Sequence, residues 1–324
     1  MKSLRLGFLS TAKIGDLVLR GARKSDKVEV VAVASRDLAR AQAHARERGI
    51  ERAYGSYEDL LADPELDAVY VALPNVFHVE WSIRALEAGK HVLCEKPLSR
   101  DPAEVERAFD AAARAGRILM EGFMYRHHPQ MRKLEELVAE GAIGDLRAVR
   151  SAFTFVLDRP GDVRWTPELG GGSLLDVGCY CVSGSRLLAG EPEVVYAEQR
   201  LGETGVDVHF AATMRFPGDV LAHFDCGFDA PQQGLLEAVG SEGSILVPDP
   251  FIIDTWGLDL RRDGRVERVE LEKRNKYQAE LENLAAAING EAEPLLGRVE
   301  SVGQARALDA LLRSAELGEP VALS

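Results

Sequence analysis

The chain has 324 residues, 46% hydrophobic and 28% charged, a balance that excludes disordered, collagen-like and small disulfide-scaffold classes. At roughly 150 residues per domain this length predicts two domains, which bury about three quarters of the unfolded surface without a covalent or metal staple. Lysine plus arginine number 39 against 52 aspartates and glutamates, a net charge of −13, which argues against a nucleic-acid or anionic-membrane binder because phosphate contacts need clustered cations.

The opening residues lack the long apolar region and small-residue cleavage site of a secretory signal, and no apolar run approaches the ~18 residues of a membrane span. Residues 4–9 form a short apolar run and residues 14–23 have helical spacing. Residues 28–34 are nearly all apolar, the mark of a strand buried on both faces, and 38–48 read as helix. Strands at 68–73, 91–94 and 118–120 alternate with helices at 79–87 and 102–114. This strand–helix alternation with short links predicts a doubly wound, Rossmann-type parallel sheet. Beyond about residue 123 the pattern changes to longer strands at 146–155, 194–201, 206–216 and 220–228, with a turn at Pro217-Gly218-Asp219. A helix follows Gly170-Gly171-Gly172-Ser173 and runs to about Leu188; further helices are expected at 277–288 and 299–312. The expected organisation is an α/β dinucleotide-binding domain, 1–123, and an α+β domain with a large mixed or antiparallel sheet, 124–324, for substrate and oligomerisation. The four cysteines, Cys94, Cys179, Cys181 and Cys226, form no CxxC pair and read as reduced thiols of a cytoplasmic protein.

A doubly wound sheet binds its ligand at the carboxyl ends of its strands, where the first strand turns into the first helix. Aligned to G-x-G-x-x-G, the turn here places Ser10, Ala12 and Gly15 at the glycine positions, with Thr11, Lys13 and Ile14 between them. Small side chains let the backbone approach a pyrophosphate on the helix N-terminus, so residues 10–14 are the candidate phosphate loop. An acidic residue about 20 positions after the glycines marks NAD. The second strand ends instead on Ser35-Arg36-Asp37. Arg36 can fork onto a 2′-phosphate, Ser35 can donate to it, and Arg40 lies one helical turn on. Asp37 reads as the cap or first-turn acid of the next helix, so NADP is favoured over NAD.

Two more strand ends carry Leu73-Pro74-Asn75 with His78, and Glu95-Lys96-Pro97. Lys96 precedes a proline, which disfavours helical geometry and keeps the lysine at the carboxyl edge. Asp176 and Tyr180, four apart on an otherwise apolar predicted helix, share one face. No metal site is expected: His127 and His128 are adjacent and point apart, and Asp207 and His209 share a strand face without a third ligand.

These segments together resemble the Gfo/Idh/MocA family of oxidoreductases, named for glucose–fructose oxidoreductase, inositol dehydrogenase and rhizopine catabolism. The likeness covers nearly the whole chain, and Glu95-Lys96-Pro97 is its most specific element. Residues 120–129, Arg164-Trp165 and tyrosine rather than histidine at Tyr180 are similar to the sugar-dehydrogenase branch. That branch includes NADP-dependent xylose dehydrogenases, glucose–fructose oxidoreductase and dimeric dihydrodiol dehydrogenases. The two replaced glycines of the phosphate loop depart from the family fingerprint.

The resemblance implies hydride transfer between C4 of a nicotinamide and an oxygen-bearing carbon of an aldose-like sugar. Tyr180 is the implied acid/base; its ordinary pKa of about 10 is high for neutral pH, and the Lys96 ammonium would favour the phenolate. Asp176 would hold Lys96 and orient the substrate hydroxyl, which requires the two domains to face each other across a cleft. His78, Tyr277, Arg164 and Trp165 are expected to reach the cofactor or line the cleft. The resemblance further implies a cis Lys96–Pro97 bond and a homodimer or homotetramer packed through the second-domain sheet. The alternatives are a dihydrodiol dehydrogenase and a non-catalytic NAD(P)-sensing regulator. The presence of Lys96, Asp176 and Tyr180 argues for catalysis.

Overall fold

The computed structural model describes residues 3–252 and 256–323, so the first two residues of the opening segment lie outside it. Two compact units emerge: Met1–Ser99 with Ala103–His127 and Arg274–Ser301, and Arg100–Pro102 with His128–Lys273 and Val302–Ser324. The units do not follow one cut in the chain, because residues 274–301 belong with the first.

In the first unit six strands run parallel: β1 Leu4–Leu9, β2 Val28–Ala34, β3 Arg52–Tyr54, β4 Ala68–Val71, β5 His91–Glu95 and β6 Leu119–Gly122. Their order, β3-β2-β1-β4-β5-β6, is that of a Rossmann fold, with the change of direction between β1 and β4. The strands are short apolar runs because both faces are covered: Leu6, Ala32, Val69 and Leu93 have no exposed surface. Gly7 allows this packing, since a Cβ there would come within 2.8 Å of Leu66. The helices are α1 Gly15–Ala22, α2 Leu38–Arg48, α3 Tyr57–Leu61, α4 His78–Glu87 and α5 Pro102–Ala115. β3 and α3 escape the sequence reading because they have three and five residues, too few to display a period. The unit is completed from far along the chain by α8, Lys276–Ile288, which buries Leu281, Leu284 and Ala285 and packs on α1.

The second unit is built on nine strands: β7 Leu146–Thr154, β8 Val194–Leu201, β9 Asp207–Phe216, β10 Val220–Gly227, β11 Gln233–Gly240, β12 Gly243–Pro248, β13 Gly257–Arg262, β14 Arg265–Glu270 and β15 Val321–Ala322. Their order is β14-β13-β12-β11-β7-β10-β9-β8-β15; only β7 and β10 pair in parallel, so the sheet is mixed. β9 shows the cause of its one-sided burial: Val208, Phe210, Ala212, Met214 and Phe216 are buried, while Ala211, Thr213 and Arg215 alternate outward. The covering helices include α6 Pro129–Ala139 and α7 Cys179–Ala189, and α7 packs on β7 and β10. Helix α9 spans Arg298–Leu317. Asp207 and His209, which alternation puts on one strand face, have different partners. Asp207 accepts from Ser173 Oγ at 2.7 Å, whereas His209 Nδ1 meets Asp229 at 2.8 Å; the β8–β9 register slips beside Asp207 and breaks the simple alternation. The four cysteines are buried free thiols. Among the described residues no helix is long and apolar enough to cross a membrane.

Candidate active site

In the first unit the loop after β1 is tied to the end of β4: Ser10 Oγ donates to the Ala72 carbonyl at 2.7 Å and accepts from Ala12 N–H at 3.2 Å. Gly15 N–H reaches the Ala12 carbonyl and Asp16 N–H the Lys13 carbonyl, which winds Thr11–Ile14 into the start of α1. Helices α2 and α3 are capped by the side chains of Asp37 and Ser56, but α1 has no side-chain cap. A helix start without its own acceptor, reached through small residues, fits a pyrophosphate held by backbone N–H groups.

At the end of β2 the Asp37 carboxylate accepts from Arg40 N–H at 3.2 Å. It is thus engaged as the α2 cap. Ser35 is nearly buried, while the side chains of Arg36 and Arg40 are exposed. This donor set fits a 2′-phosphate better than a bare ribose hydroxyl. The sequence reading missed Tyr57, the first residue of α3. Burial raises its hydroxyl pKa while Arg36 and Arg40 act to lower it, so all three groups share one locality. The short, aperiodic α3 gave no signal for it.

The loops after β4 and β5 are joined by His78. Its Nε2 contacts the Leu73 carbonyl and its Nδ1 the Pro97 carbonyl, each at 2.8 Å. Burial outweighs these contacts and holds the imidazole pKa below its ordinary value. Both ring nitrogens are therefore committed to backbone, so His78 serves as a link between the loops that carry Pro74-Asn75 and Lys96. Glu95 accepts from the Tyr70 hydroxyl through Oε1 and from Lys96 N–H, at 3.3 Å, through Oε2. The Lys96–Pro97 bond is cis, as the resemblance implied. Leu98 N–H then donates to the buried Glu121 at 2.8 Å. Tyr277 is buried at the start of α8, where a Cβ on Gly21 of α1 would come within 2.7 Å of it.

In the second unit the segment before α7 is not a plain helix. Leu174–Gly178, which contains Asp176, is a π-helical turn, and α-helix begins at Cys179. Such turns cluster at functional sites. The turn is anchored at its start by the buried Asp207 carboxylate, which accepts from Ser173 Oγ and Leu174 N–H, each at 2.7 Å. Tyr180 is 6% exposed, with its ring against the stacked pair Phe153 and Phe251 at centroid distances of 5.5 and 5.4 Å. Asp176 pairs with Arg164, whose Nε lies 2.6 Å from Oδ2; Arg164 Nη1 also meets Asp162 at 3.1 Å. Burial opposes the guanidinium charge, but Asp176 and Asp162 outweigh it and raise its pKa above the ordinary value. Arg164 is thus a partner of Asp176. Trp165 donates from Nε1 to the Arg159 carbonyl at 3.1 Å and sets its ring edge-on to Phe228.

Comparison with known proteins agrees with both halves. The oxidoreductase family with an NAD-binding Rossmann fold matches residues 4–123, and the GFO/IDH/MocA C-terminal domain matches 131–246. The chain is 40% identical to a D-xylose 1-dehydrogenase (NADP(+)) of Haloferax volcanii, across 99% of this chain and 100% of that one. It is 38% identical to a trans-1,2-dihydrobenzene-1,2-diol dehydrogenase of Danio rerio, across 76% of this chain and 75% of the relative. The crystal structure of a 3-ketoreductase from Actinomadura kijaniata with NADP and TDP-benzene superposes with a TM-score of 0.90 at 33% identity, across 96% of this chain and 98% of the other. Sequence and fold alike make the chain an NAD(P)-dependent oxidoreductase of the Gfo/Idh/MocA family.

Proposed function

We propose that the protein is an NADP-preferring dehydrogenase or reductase of an aldose-like sugar. The observation that carries this reading is the full-length likeness to an NADP-dependent xylose dehydrogenase in a chain whose Asp37 is spent as a helix cap beside Arg36. The bound nicotinamide supplies the hydride acceptor in oxidation and the donor in reduction. Thr11 to Ile14 and the start of α1 bind the pyrophosphate; Ser35, Arg36 and Arg40 bind the 2′-phosphate; Leu73 to Asn75 and Tyr277 border the nicotinamide side.

Tyr180 Oη takes the hydroxyl proton of the alcohol in oxidation and returns it in reduction. Its aromatic surroundings, Phe153 and Phe251, disfavour a phenolate, so the role needs a cation beside it. Lys96 is assigned that part. Asp176, its charge balanced by Arg164, orients the substrate hydroxyl, and Trp165 borders the sugar. Support for pairing Lys96 with Tyr180 comes from the ketoreductase. It has been solved with one lysine and, separately, one tyrosine replaced, spaced along its chain as Lys96 and Tyr180 are here.

A second reading, a dihydrodiol dehydrogenase, is favoured by the relative from Danio rerio. The test is a panel of xylose, glucose and a trans-dihydrodiol with NADP and NAD, following reduced-cofactor absorbance. Turnover of a sugar with NADP supports the proposal, turnover of the diol alone the second reading, and none a sensing regulator. We further infer a cytoplasmic homodimer or homotetramer, with cofactor binding mainly in residues 1–123, joined by Tyr277 from the returning segment 274–301, and substrate binding and assembly in the rest of 124–324. The buried free thiols suit a reducing compartment, and Ala211, Thr213 and Leu221 leave the outward face of β9 and β10 partly apolar.

A further inference from the structure

One carboxyl of the first unit has no part in the site described so far. Glu280 lies on α8, one turn beyond Tyr277, and is 2% exposed. Its Oε1 is buried without a hydrogen-bond partner. Ionising a carboxyl buried in that way strips it of hydration without replacement, so the protonated form is favoured.

Its acidic neighbour is Glu95, the residue before Lys96, and the two carboxyls oppose each other's ionisation. The two do not compete on equal terms. Glu95 receives the Tyr70 hydroxyl on one oxygen and Lys96 N–H on the other, and donors of that kind favour the ionised form. Two interacting carboxyls titrate as a pair, and here the donors on the half-buried Glu95 favour the proton on the fully buried, unpartnered Glu280. The titratable groups acting on Glu280 are Glu95 at the end of β5, Tyr70 on β4 and Lys276 on its own helix. Of the other elements packed on α8, α1 brings Gly21 against Tyr277, β2 carries one charged residue, the exposed Glu29, and the turn Met124–His127 carries the buried Tyr125 and His127 with Arg126, which pairs with Glu300.

We propose that Glu280 is held as a neutral carboxylic acid, and that this keeps Glu95 ionised as the acceptor of Lys96 N–H, making Glu280 a positioning residue that acts through Glu95. It rests on the assignment of Lys96 to the reaction. Burial, reinforced by the Glu95 charge and opposed by Lys276, raises the Glu280 pKa well above that of an ordinary glutamate. When the pH rises far enough, Glu280 gives its proton to solvent hydroxide. Two carboxylates then repel, and Glu95 loosens from Tyr70 and from Lys96 N–H.

The test compares wild type with Glu280→Gln, which copies the shape of the neutral acid and cannot ionise. Infrared difference spectra of the cofactor-free protein at neutral pH read the carbonyl stretch of a protonated carboxylic acid. The band is expected in wild type and absent in the variant. Melting temperature gives an independent measure. The variant is expected to be more stable than wild type at about pH 8 and equal to it near the ordinary glutamate pKa of about 4.3. In steady-state assays the variant keeps kcat within about twofold at neutral pH and loses less at alkaline pH than wild type does. Absence of the acid band in wild type, or a stability difference independent of pH, overturns the proposal. So does a loss of about tenfold or more in kcat at neutral pH, since an amide would then fail where only the acid serves. If no sugar or diol is turned over, the assignment of Lys96 fails by itself, while the spectrum and the melting curves still decide the protonation of Glu280.

Discussion

Replacing Arg36 by alanine tests the cofactor assignment. Arg36 lies two residues beyond the end of β2 with its side chain exposed, and Arg40 stands a turn away. A charge-assisted contact contributes about 1.5–3 kcal/mol, and because this one is open to water and Arg40 remains, the lower end applies. About 1.4 kcal/mol corresponds to a tenfold change, so kcat/KM for NADP should fall roughly tenfold or somewhat more in Arg36→Ala while that for NAD stays nearly constant. The measurement is steady-state kcat/KM for both cofactors at saturating sugar. Repeating it at higher salt should narrow the wild-type preference, because exposed charge contacts are screened. Asp37 is the control. It caps α2 through Arg40 N–H, so Asp37→Ala should cost about 1 kcal/mol of stability without changing the cofactor ratio. Equal losses for NADP and NAD in Arg36→Ala, or a selective loss of NAD use in Asp37→Ala, would refute the reasoning.

Three other outcomes are expected. Tyr180→Phe should lower kcat by about a hundred- to ten-thousandfold with NADP affinity unchanged by fluorescence titration; an active variant would remove Tyr180 as the acid/base. Arg164→Met should lower kcat more than it raises KM for cofactor, since it strips Asp176 of a partner at 2.6 Å; a purely cofactor-side defect would contradict this and place Arg164 at the nucleotide instead. His91 has its pKa lowered to about 4 by burial and by Arg117. Its folded pKa lies below the unfolded value of about 6.5, so the stability tied to its neutral form is present above that value and is lost as pH falls towards about 4. Calorimetric melting curves of His91→Gln should show a shallower acid decline across that window, and curves parallel to wild type would contradict it.

Much of the first unit is legible in the sequence because a parallel sheet covered on both faces writes itself as apolar runs. Residues 28–34, six of them buried, are the clearest case. Lys96 is legible because Glu95 and Pro97 flank it at a strand end. What escapes is set by partners remote in sequence or by broken periods. β14 has five exposed residues in six and so carries no alternation to read. The π turn at Leu174–Gly178 depends on Asp207, and nothing between residues 173 and 180 announces it. The partnership of Asp176 with Arg164 is settled by the loop between them. Glu280 reads as an ordinary helix acid until α8 is placed, and only then is it buried.

The placement of α8 has a consequence for how such a chain is made and recombined. Gly21 sits where α1 and α8 come so close that a Cβ would come within 2.8 Å of the Gln278 backbone, so the two helices are fitted to each other at backbone level. A ribosome that has delivered the first 127 residues has therefore delivered an unfinished nucleotide-binding unit, one face of which stays bare until residues 274–301 emerge. A fragment cut at the apparent boundary would carry that bare apolar face into solution. Chimaeras that exchange nucleotide-binding units between relatives would need to move two separate stretches of sequence together, since α1 from one parent and α8 from another would meet without having been shaped for each other.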